Sequence, residues 1–334
     1  METKFDFNDI LLTGGISSPI ETRSSIRIYT EKGYLPIIVA PMDTVISEKN
    51  YKKFKSKLFQ IAMPRGSEYE VGHNFHSIGL EEAKDIAYNR VKCNHSHLLI
   101  DIANGHMQYL VNLVKMIKHH YPLVQLMVGN IANPKMYTVL SDAGADYIRC
   151  GIGFGGGCLT AKQTGVGYAM GSLIKECYEE SIHLIKPAKI VADGGFKDYS
   201  DIIKALALGA DYVMIGSILN NTIESAGKNY LFGWLPVSQN IAEKLFKLKL
   251  PIYKSFRGMS TKAVQKEWGK TILKTSEGVT RKNKVKYTLE GWRSNFIDYL
   301  KSAMSYCGAK NLDEFIGECK FTVISTKSFE RFNK

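Results

Sequence analysis

Eight short apolar runs recur along the chain, and most are continuous rather than alternating in polarity. Runs of that kind are typical of parallel strands that are buried on both faces of a sheet. Helical patterns with recognisable ends lie between them. Asn133 and Pro134, for example, predict a helix start, and Gly144 can close that helix. The runs occupy residues 35–40, 58–62, 75–78, 98–100, 125–128, 146–150, 189–192 and 211–215.

An internal repeat helps to decide which kind of α/β fold these alternating strands and helices form. The segments GADYIRCG at 144–151 and GADYVMIG at 209–216 are near copies, and the chain between them holds two strand–helix units. Repetition of similar units favours a (β/α)8 TIM barrel. A doubly wound sheet would instead predict a Gly-rich turn near its first strand, and the chain has none there. We therefore predict a single barrel domain over residues 1–334, with an irregular lid or flap insertion at about 228–292.

Composition excludes several classes of protein. The 334 residues are 45% hydrophobic, and no apolar run approaches the roughly 18 residues of a membrane span. The N-terminus does not resemble a signal peptide, so we expect a cytoplasmic protein. Six cysteines without a CxxC pair indicate reduced thiols rather than a disulfide or zinc framework. The net charge of +12 fits a solvated basic surface, a phosphate-bearing ligand or a polynucleotide.

The most glycine-rich stretch of the chain is GIGFGGGC at 151–158, directly after the predicted strand at 146–150. Glycine supplies no side chain and costs backbone entropy, so such a run indicates backbone that approaches a ligand or ion closely. In a barrel, the carboxyl end of a strand carries the chemistry. Cys158 is therefore a candidate nucleophile.

Polar clusters follow four other predicted strands, and the barrel would gather all of them at one rim. A structural interpretation exists for each, because Asp101 or Asp193 could cap the following helix and the last pair could form a plain turn. Glycine turns after the seventh and eighth strands suit a phosphate, and a carboxylate beside them could accept hydrogen bonds from a ribose diol. The predicted ligand is a nucleotide. The clusters are Asp101 with Asn104 and Gly105, Gly129 with Asn130, Asp193 with Gly194 and Gly195, and Gly216 with Ser217.

These residues resemble the IMP dehydrogenase/GMP reductase family over nearly the whole chain. The segment FDFNDILL at 5–12 is similar to the opening signature of the family, and PMDTV at 41–45 to its first strand-end motif. The loop ending in Cys158 and Thr160 resembles the catalytic loop. ADGG at 192–195 and MIGS at 214–217 resemble the phosphate and ribose segments. The base-contacting lid is represented by Arg257, Gly258, Met259, Ser260 and Glu277.

The resemblance implies a chemistry in which Cys158 attacks C2 of a purine nucleotide and forms a covalent thioimidate. Thr160 and Glu277 are the candidates for protonating the leaving ammonia. Asp101, Asn104 and Gly105 would face the nicotinamide of NADPH. The carbonyls of Gly153, Gly155 and Cys158 would hold potassium, although a cation-free turn is the alternative. Ser302 and Tyr306 resemble residues that reach the cofactor of a neighbouring subunit, which implies a homotetramer.

Two reactions share this intermediate, and three features favour the reductase reaction, in which GMP loses ammonia and receives hydride from NADPH to give IMP. Only residues 64–75 separate two strands where family dehydrogenases commonly insert CBS domains. Residues 261–276 are too few for the dehydrogenase flap and contain no Arg-Tyr pair. The segments 101–105 and 162–168 also resemble the reductase versions. Pro41 and Arg257 instead resemble dehydrogenases, which oxidise IMP with NAD, so that reaction stays the alternative.

Two departures from the family pattern affect the phosphate. Phe154 and Gly156 stand where the family usually has proline and serine, and the missing hydroxyl removes one phosphate contact. Two other classes stay open as well. A catalytically silent nucleotide sensor would tolerate loss of Cys158, which this chain retains, and a polynucleotide binder would account for the basic charge.

Overall fold

A computed structural model of the chain describes residues 3–67, 74–259, 261, 264 and 278–332. In these residues, eight parallel strands close into a barrel in sequence order, with the last strand hydrogen-bonded to the first. The predicted TIM-barrel fold is confirmed, and each of the eight apolar runs overlaps one barrel strand. A short strand, β1 (Ile10–Leu12), precedes the barrel. The barrel strands are β2 (Ile37–Val39), β3 (Gln60–Met63), β4 (Phe75–Ile78), β5 (His97–Asp101), β6 (Gln125–Ile131), β7 (Tyr147–Cys150), β8 (Lys189–Asp193) and β9 (Tyr212–Ile215).

Helices follow most of these strands and cover the outside of the barrel. The helix after β6 begins as the sequence predicts, because the Asn133 side chain accepts a hydrogen bond from the Lys135 amide and Pro134 occupies the first turn. Gly144 follows its end with a φ of +98°. The helices are α1 (Tyr51–Lys55), α2 (Leu80–Ala87), α3 (Gln108–His120), α4 (Pro134–Asp142), α5 (Thr160–Thr164), α6 (Met170–Ser181), α7 (Tyr199–Ala207) and α8 (Ser217–Asn220).

The strands are buried on both faces, which explains their continuous apolar runs. One set of side chains fills the barrel interior, including Ile38, Leu99, Met127 and Val191. The alternate residues of the same strands pack outward against the helices in a second, larger cluster. A parallel sheet covered in this way has no solvent-facing side, so most of its residues are apolar.

The segment after α8 is more regular than the irregular insertion that the sequence predicts. Where the structure describes it, the insertion forms a four-stranded antiparallel sheet with one helix against it. Its period-two pattern is concealed because Lys254, rather than an apolar residue, occupies a fully buried position between Ile252 and Phe256. The elements are β10 (Asn229–Leu231), β11 (Leu235–Val237), α9 (Gln239–Lys247), β12 (Ile252–Arg257) and β13 (Thr280–Lys284).

The chain then returns to the barrel with its longest helix, α10 (Leu289–Cys307), which buries Trp292, Phe296 and Leu300. A last strand, β14 (Phe321–Val323), pairs antiparallel with β1, and α11 (Thr326–Phe332) follows. The two ends of the described chain therefore lie side by side. No helix among the described residues combines the length and apolar character needed to cross a membrane.

Candidate active site

The glycine loop lies at the carboxyl end of β7, as the sequence predicts. Gly151 and Gly153 adopt φ values of +133° and +87°, which residues with a Cβ rarely adopt. A Cβ on Gly153 would also collide with the backbone and side chain of Ala161 at the start of α5. Glycine at 153 therefore allows α5 to pack directly on the loop.

Cys158 sits at the end of this loop and is half-buried, in contrast to Cys150 and Cys177, which are buried in the core. Its sulfur lies 3.2 Å from the Thr160 hydroxyl oxygen. Its amide donates a 2.8 Å hydrogen bond to the Gly155 carbonyl, which closes a tight turn. The thiol predicted to be nucleophilic therefore has a hydroxyl partner and lies outside the hydrophobic interior.

The inserted sheet holds the loop from the other side. The Gly157 carbonyl accepts a 3.0 Å hydrogen bond from the Val279 amide, and the Gly258 amide donates to the Val279 carbonyl at 3.0 Å. Cys158 and Gly278 form an isolated antiparallel bridge. Cys158 therefore lies between the barrel rim and the base of the insertion.

The two predicted phosphate turns contact the same loop. A Cβ on Gly194 would lie 2.8 Å from the Gly155 nitrogen, and a Cβ on Gly156 would lie 3.0 Å from the Ser217 hydroxyl oxygen. Gly195 and Gly216 stand beside these residues at the ends of β8 and β9. The structure therefore brings together the loop and both phosphate turns.

Asp193 is held by an arginine that the sequence analysis did not select. Arg149 donates from Nη2 and Nε to Asp193 Oδ2 at 2.7 and 3.0 Å, and from Nη1 to Asp101 Oδ1 at 2.5 Å. Asn130 Nδ2 donates to the same Asp193 oxygen at 2.7 Å and to the Gly151 carbonyl at 2.8 Å. Neither aspartate caps a helix, since Met107 and Asp198 precede α3 and α7.

Burial by itself lowers the pKa of Arg149, but the neighbouring carboxylates of Asp193 and Asp101 outweigh it and hold that pKa above its ordinary value. The guanidinium therefore stays charged. The internal repeat could have pointed to this residue, because Arg149 occupies the position at which the second copy has the apolar residue Met214. A charge in an otherwise apolar buried strand needs a buried partner.

The residues predicted to face the nicotinamide are hydrogen-bonded to the same rim of the barrel. The Gly105 amide donates to the Asn130 carbonyl at 2.8 Å, and a Cβ on Gly105 would lie 2.6 Å from that oxygen. The Asn104 side chain accepts from the His106 amide at 3.0 Å and shapes the turn. Asp101, Asn104 and Gly105 thus form one loop that contacts the end of β6.

In the lid, the guanidinium of Arg257 forms a close two-nitrogen ion pair with the carboxylate of Asp43, in the strand-end motif that follows β2. Gly258 contacts the glycine loop, and Met259 follows it. Ser260 and Glu277, which the sequence analysis placed in the lid, lie outside the described residues.

Ser302 and Tyr306 are one helical turn apart on α10, on the outside of the barrel, and Tyr306 is 68% exposed. The structure does not bring them to the rim that holds Cys158 through any contact within the described residues. An exposed tyrosine there is accessible to a second subunit.

The candidate potassium ligands are the carbonyls of Gly153, Gly155 and Cys158. The Gly155 carbonyl already accepts the Cys158 amide, but a carbonyl oxygen has two lone pairs and one stays available. Backbone carbonyls are suitable ligands for potassium. The loop therefore fits such a cation. Across the described parts of the chain, no group of three or more His, Cys, Asp or Glu residues is arranged to hold a metal.

The two departures in the loop have different surroundings. Phe154 packs against the core, and its Cβ lies 3.4 Å from the position that a Cβ on Gly195 would take. A Cβ on Gly156 would lie 3.0 Å from the Ser217 hydroxyl oxygen and 3.5 Å from the Arg281 guanidinium. The rim as a whole combines a half-buried thiol, a neighbouring hydroxyl, backbone amides and a fixed carboxylate. That combination suits covalent chemistry on a phosphorylated ligand.

Comparisons with known proteins agree with this arrangement. A family model described as the IMP dehydrogenase / GMP reductase domain matches residues 76–331. An inosine-5'-monophosphate dehydrogenase of Chlorobaculum parvum is 36% identical over 228 residues, which are 68% of this chain but only 45% of that relative. The chain thus matches less than half the length of that dehydrogenase.

The reductase relatives match over a longer range. GMP reductase 1 of Mus musculus is 30% identical over 350 residues, covering 96% of this chain and 95% of the relative. GMP reductase 2 of Homo sapiens is 29% identical over 343 residues, covering 94% and 92%. Together with the barrel and its cysteine loop, these matches show that the chain belongs to the IMP dehydrogenase/GMP reductase family.

Proposed function

We propose that this protein is an NADPH-dependent GMP reductase, an oxidoreductase that converts GMP to IMP and ammonia. The observation that carries the proposal is the position of the Cys158 sulfur, 3.2 Å from the Thr160 hydroxyl, on a loop that contacts both glycine turns at the barrel rim. The similarity to GMP reductases over nearly their whole length supports the reductase among the two family reactions.

In the proposed reaction, the Cys158 thiolate adds to C2 of the guanine, and the C2–N bond breaks with its electron pair on nitrogen. A proton must reach that nitrogen so that it leaves as ammonia, and the Thr160 hydroxyl is positioned to relay it, with Glu277 as its proposed partner. NADPH, held beside the loop of Asp101, Asn104 and Gly105, would supply the hydride that C2 receives and would become NADP⁺. Expulsion of the Cys158 thiolate then restores the ring double bond and releases IMP.

The remaining roles follow the geometry of the rim. Asp193, held by Arg149 and Asn130, is proposed to accept hydrogen bonds from the ribose hydroxyls. Backbone amides of Gly194, Gly195 and Gly216 and the Ser217 hydroxyl would bind the phosphate. In the lid, Arg257, Gly258, Met259 and Ser260 would contact the base. Asp101, Asn104 and Gly105 would face the nicotinamide.

Two further features belong to the proposal. A potassium ion on the carbonyls of Gly153, Gly155 and Cys158 would order the glycine loop and favour the thiolate. Assembly into a homotetramer would bring Ser302 and Tyr306 of one subunit toward the cofactor of another, which the exposure of Tyr306 permits. Light scattering measures the assembly, and activity with potassium replaced by sodium measures the cation requirement.

IMP dehydrogenase activity is the second candidate, favoured by the 36% identity to a dehydrogenase over 228 residues. Its product forms when water, rather than hydride, resolves the thioimidate. The Asp43–Arg257 pair is compatible with either reaction, because it fixes the lid without contacting Cys158 in any described interaction.

One pair of assays separates the two candidates. The protein is incubated with GMP and NADPH and, separately, with IMP and NAD, while absorbance of the reduced nicotinamide is followed. We expect consumption of NADPH in the first mixture and formation of IMP and ammonia. NADH production in the second mixture alone would overturn the reductase assignment.

Replacing Cys158 by alanine tests the covalent route. We expect Cys158→Ala to abolish turnover while GMP binding, measured by calorimetry, stays within a few-fold of wild type. Cys93→Ala is the matched control, because Cys93 is also half-buried but lies before β5. Turnover that survives loss of the Cys158 sulfur would refute the mechanism.

A further inference from the structure

Position 156 of the glycine loop points toward two polar side chains. A Cβ placed there would lie 3.0 Å from the Ser217 hydroxyl oxygen, 3.2 Å from the Ser217 Cβ and 3.5 Å from Arg281 Nη2. The hydroxyl and the guanidinium therefore both lie within 3.5 Å of one point on the loop. The position that a loop side chain would take at 156 is crowded by Ser217, and it is bordered by a neutral donor and a cation.

The fold directs Arg281 toward this point. Arg281 lies on β13 opposite Phe256 of β12, and its guanidinium is 5.0 Å from the centre of the Phe256 ring. Asn283, two residues further and on the same face, donates to the Asn220 side chain of α8 at 3.0 Å. Since alternate residues of a strand share a face, Arg281 faces the barrel.

Lys282 faces the other way. Its ammonium lies 3.9 Å from the centre of the Tyr230 ring and donates to the Gly233 carbonyl at 2.8 Å, both in the β10–β11 hairpin. Arg281 and Lys282 are adjacent on β13, but their side chains lie on opposite faces of the sheet. Only Arg281 of this pair approaches the glycine loop.

The charge of Arg281 is not compensated by a carboxylate in the ion pairs of the described residues. Arg149 has Asp101 and Asp193, and Arg257 has Asp43, whereas the Arg281 guanidinium lies over the Phe256 ring and 3.5 Å from the position that a Cβ on Gly156 would take. A planar guanidinium with free donors beside backbone turns is suited to a phosphate, which it can bind through two hydrogen bonds.

We propose that Arg281 binds the 5′-phosphate of the nucleotide and provides the positive charge of the phosphate subsite, beside Gly156 and Ser217. The inference rests on the proposed function for the location of the phosphate. A phosphate monoester carries up to two negative charges near neutral pH, so a cation there distinguishes a nucleotide from its nucleoside more strongly than a neutral hydroxyl does. Stacking on Phe256 would hold the guanidinium in place.

The test compares Arg281→Gln with wild type. Glutamine keeps a planar polar end group but removes the charge, and Arg281 is exposed, so the fold is expected to persist. Binding of GMP, guanosine and inorganic phosphate is measured by calorimetry at low and moderate salt, alongside KM and kcat for GMP. Lys282→Gln is the matched control, because it removes the same charge from the adjacent residue on the opposite face.

We expect Arg281→Gln to weaken GMP binding and raise KM by about tenfold or more, with guanosine affinity unchanged. The salt dependence of GMP binding should also become shallower. The Lys282→Gln control should change GMP affinity by less than about twofold, because the charge it removes is screened by solvent.

The outcomes separate this inference from the proposed function. Reductase turnover with an unchanged KM in Arg281→Gln would overturn the role of Arg281 and leave the reductase proposal standing. A wild-type protein that binds nucleoside monophosphates through Arg281, but does not turn over GMP with NADPH, would uphold this inference and overturn the activity. The role of Arg281 would also be overturned if Arg281→Gln lost as much affinity for guanosine as for GMP. The same holds if Lys282→Gln lost as much affinity for GMP as Arg281→Gln.

Discussion

Arg149 connects the two sides of the candidate site through a single side chain. It reaches Asp101 at the end of β5 and Asp193 at the end of β8 from its own position on β7. Each of the three side chains is at most 15% exposed. A buried carboxylate is costly unless it is paired, so the shared arginine offsets the cost of burying both aspartates at this rim.

Replacing Arg149 by methionine, which is similar in length and uncharged, is expected to lower the free energy of unfolding by about 3–5 kcal/mol, because two buried carboxylates lose the guanidinium that they share. Urea denaturation measures this loss. Arg149→Lys retains one charge but cannot bridge both aspartates, so we expect it to recover only part of the stability and to raise KM for GMP. Identical unfolding midpoints for wild type and Arg149→Met would contradict this account.

At the scale of elements, the important contact joins the glycine loop to the base of the inserted sheet. Gly157 and Gly258 meet so closely that a Cβ on Gly258 would overlap the Gly157 carbonyl. The backbone hydrogen bonds through Val279 lie beside this contact. The insertion therefore positions the cysteine loop, in addition to any contact it makes with a ligand.

Gly258→Ala should therefore disturb the position of Cys158 while leaving the barrel intact. We expect kcat/KM for GMP to fall on the order of 100-fold, because a small displacement of reacting groups is costly in rate. The thermal unfolding midpoint should change little. Gly14→Ala is the control, since its Cβ would be in ordinary contact with the Tyr306 carbonyl at 3.5 Å. Equal activity of the two variants would show that the loop–sheet contact is not needed.

The elements also show where pattern-based prediction succeeds and fails. All eight barrel strands were predicted, because continuous apolar runs reflect burial on both faces. The strands of the insertion were not. Burial lowers the pKa of Lys254 in β12 to about 8, and its ammonium is satisfied by the Ser225 carbonyl and the Gln239 side chain. Because these partners are distant in sequence, Lys254 reads as an exposed residue, and the alternation of apolar and polar residues that predicts a strand is hidden.

At the scale of the whole molecule, the N-terminal segment packs against the candidate site rather than away from it. Phe7 is buried and stacks on Phe196, which directly follows the Asp193-Gly194-Gly195 turn, with ring centres 5.4 Å apart. The Phe7 carbonyl accepts a 2.9 Å hydrogen bond from Lys204 of α7. A segment nearly 200 residues away in sequence therefore supports a predicted phosphate turn.

Phe7→Ala is expected to lower the free energy of unfolding by about 3–5 kcal/mol, because it leaves a cavity beneath that turn. It should also raise KM for GMP, whereas the kcat of the folded fraction should change less. Denaturation and steady-state kinetics measure the two effects. Phe321→Ala is the comparison, because Phe321 packs on Phe5 rather than beside Phe196. A raised KM in the comparison variant as well would indicate general loosening of the termini.

The sequence by itself determined the barrel, the rim position of Cys158 and the segments that face it, because burial periodicity and glycine runs are local properties of the chain. Only the tertiary structure decided which side chains meet across that rim. The Arg149 bridge, the Asp43–Arg257 pair and the approach of Arg281 to Gly156 join residues 44 to 214 positions apart in the chain. Such pairings depend on strand order and on the turn of each loop, and no local pattern in the chain encodes them.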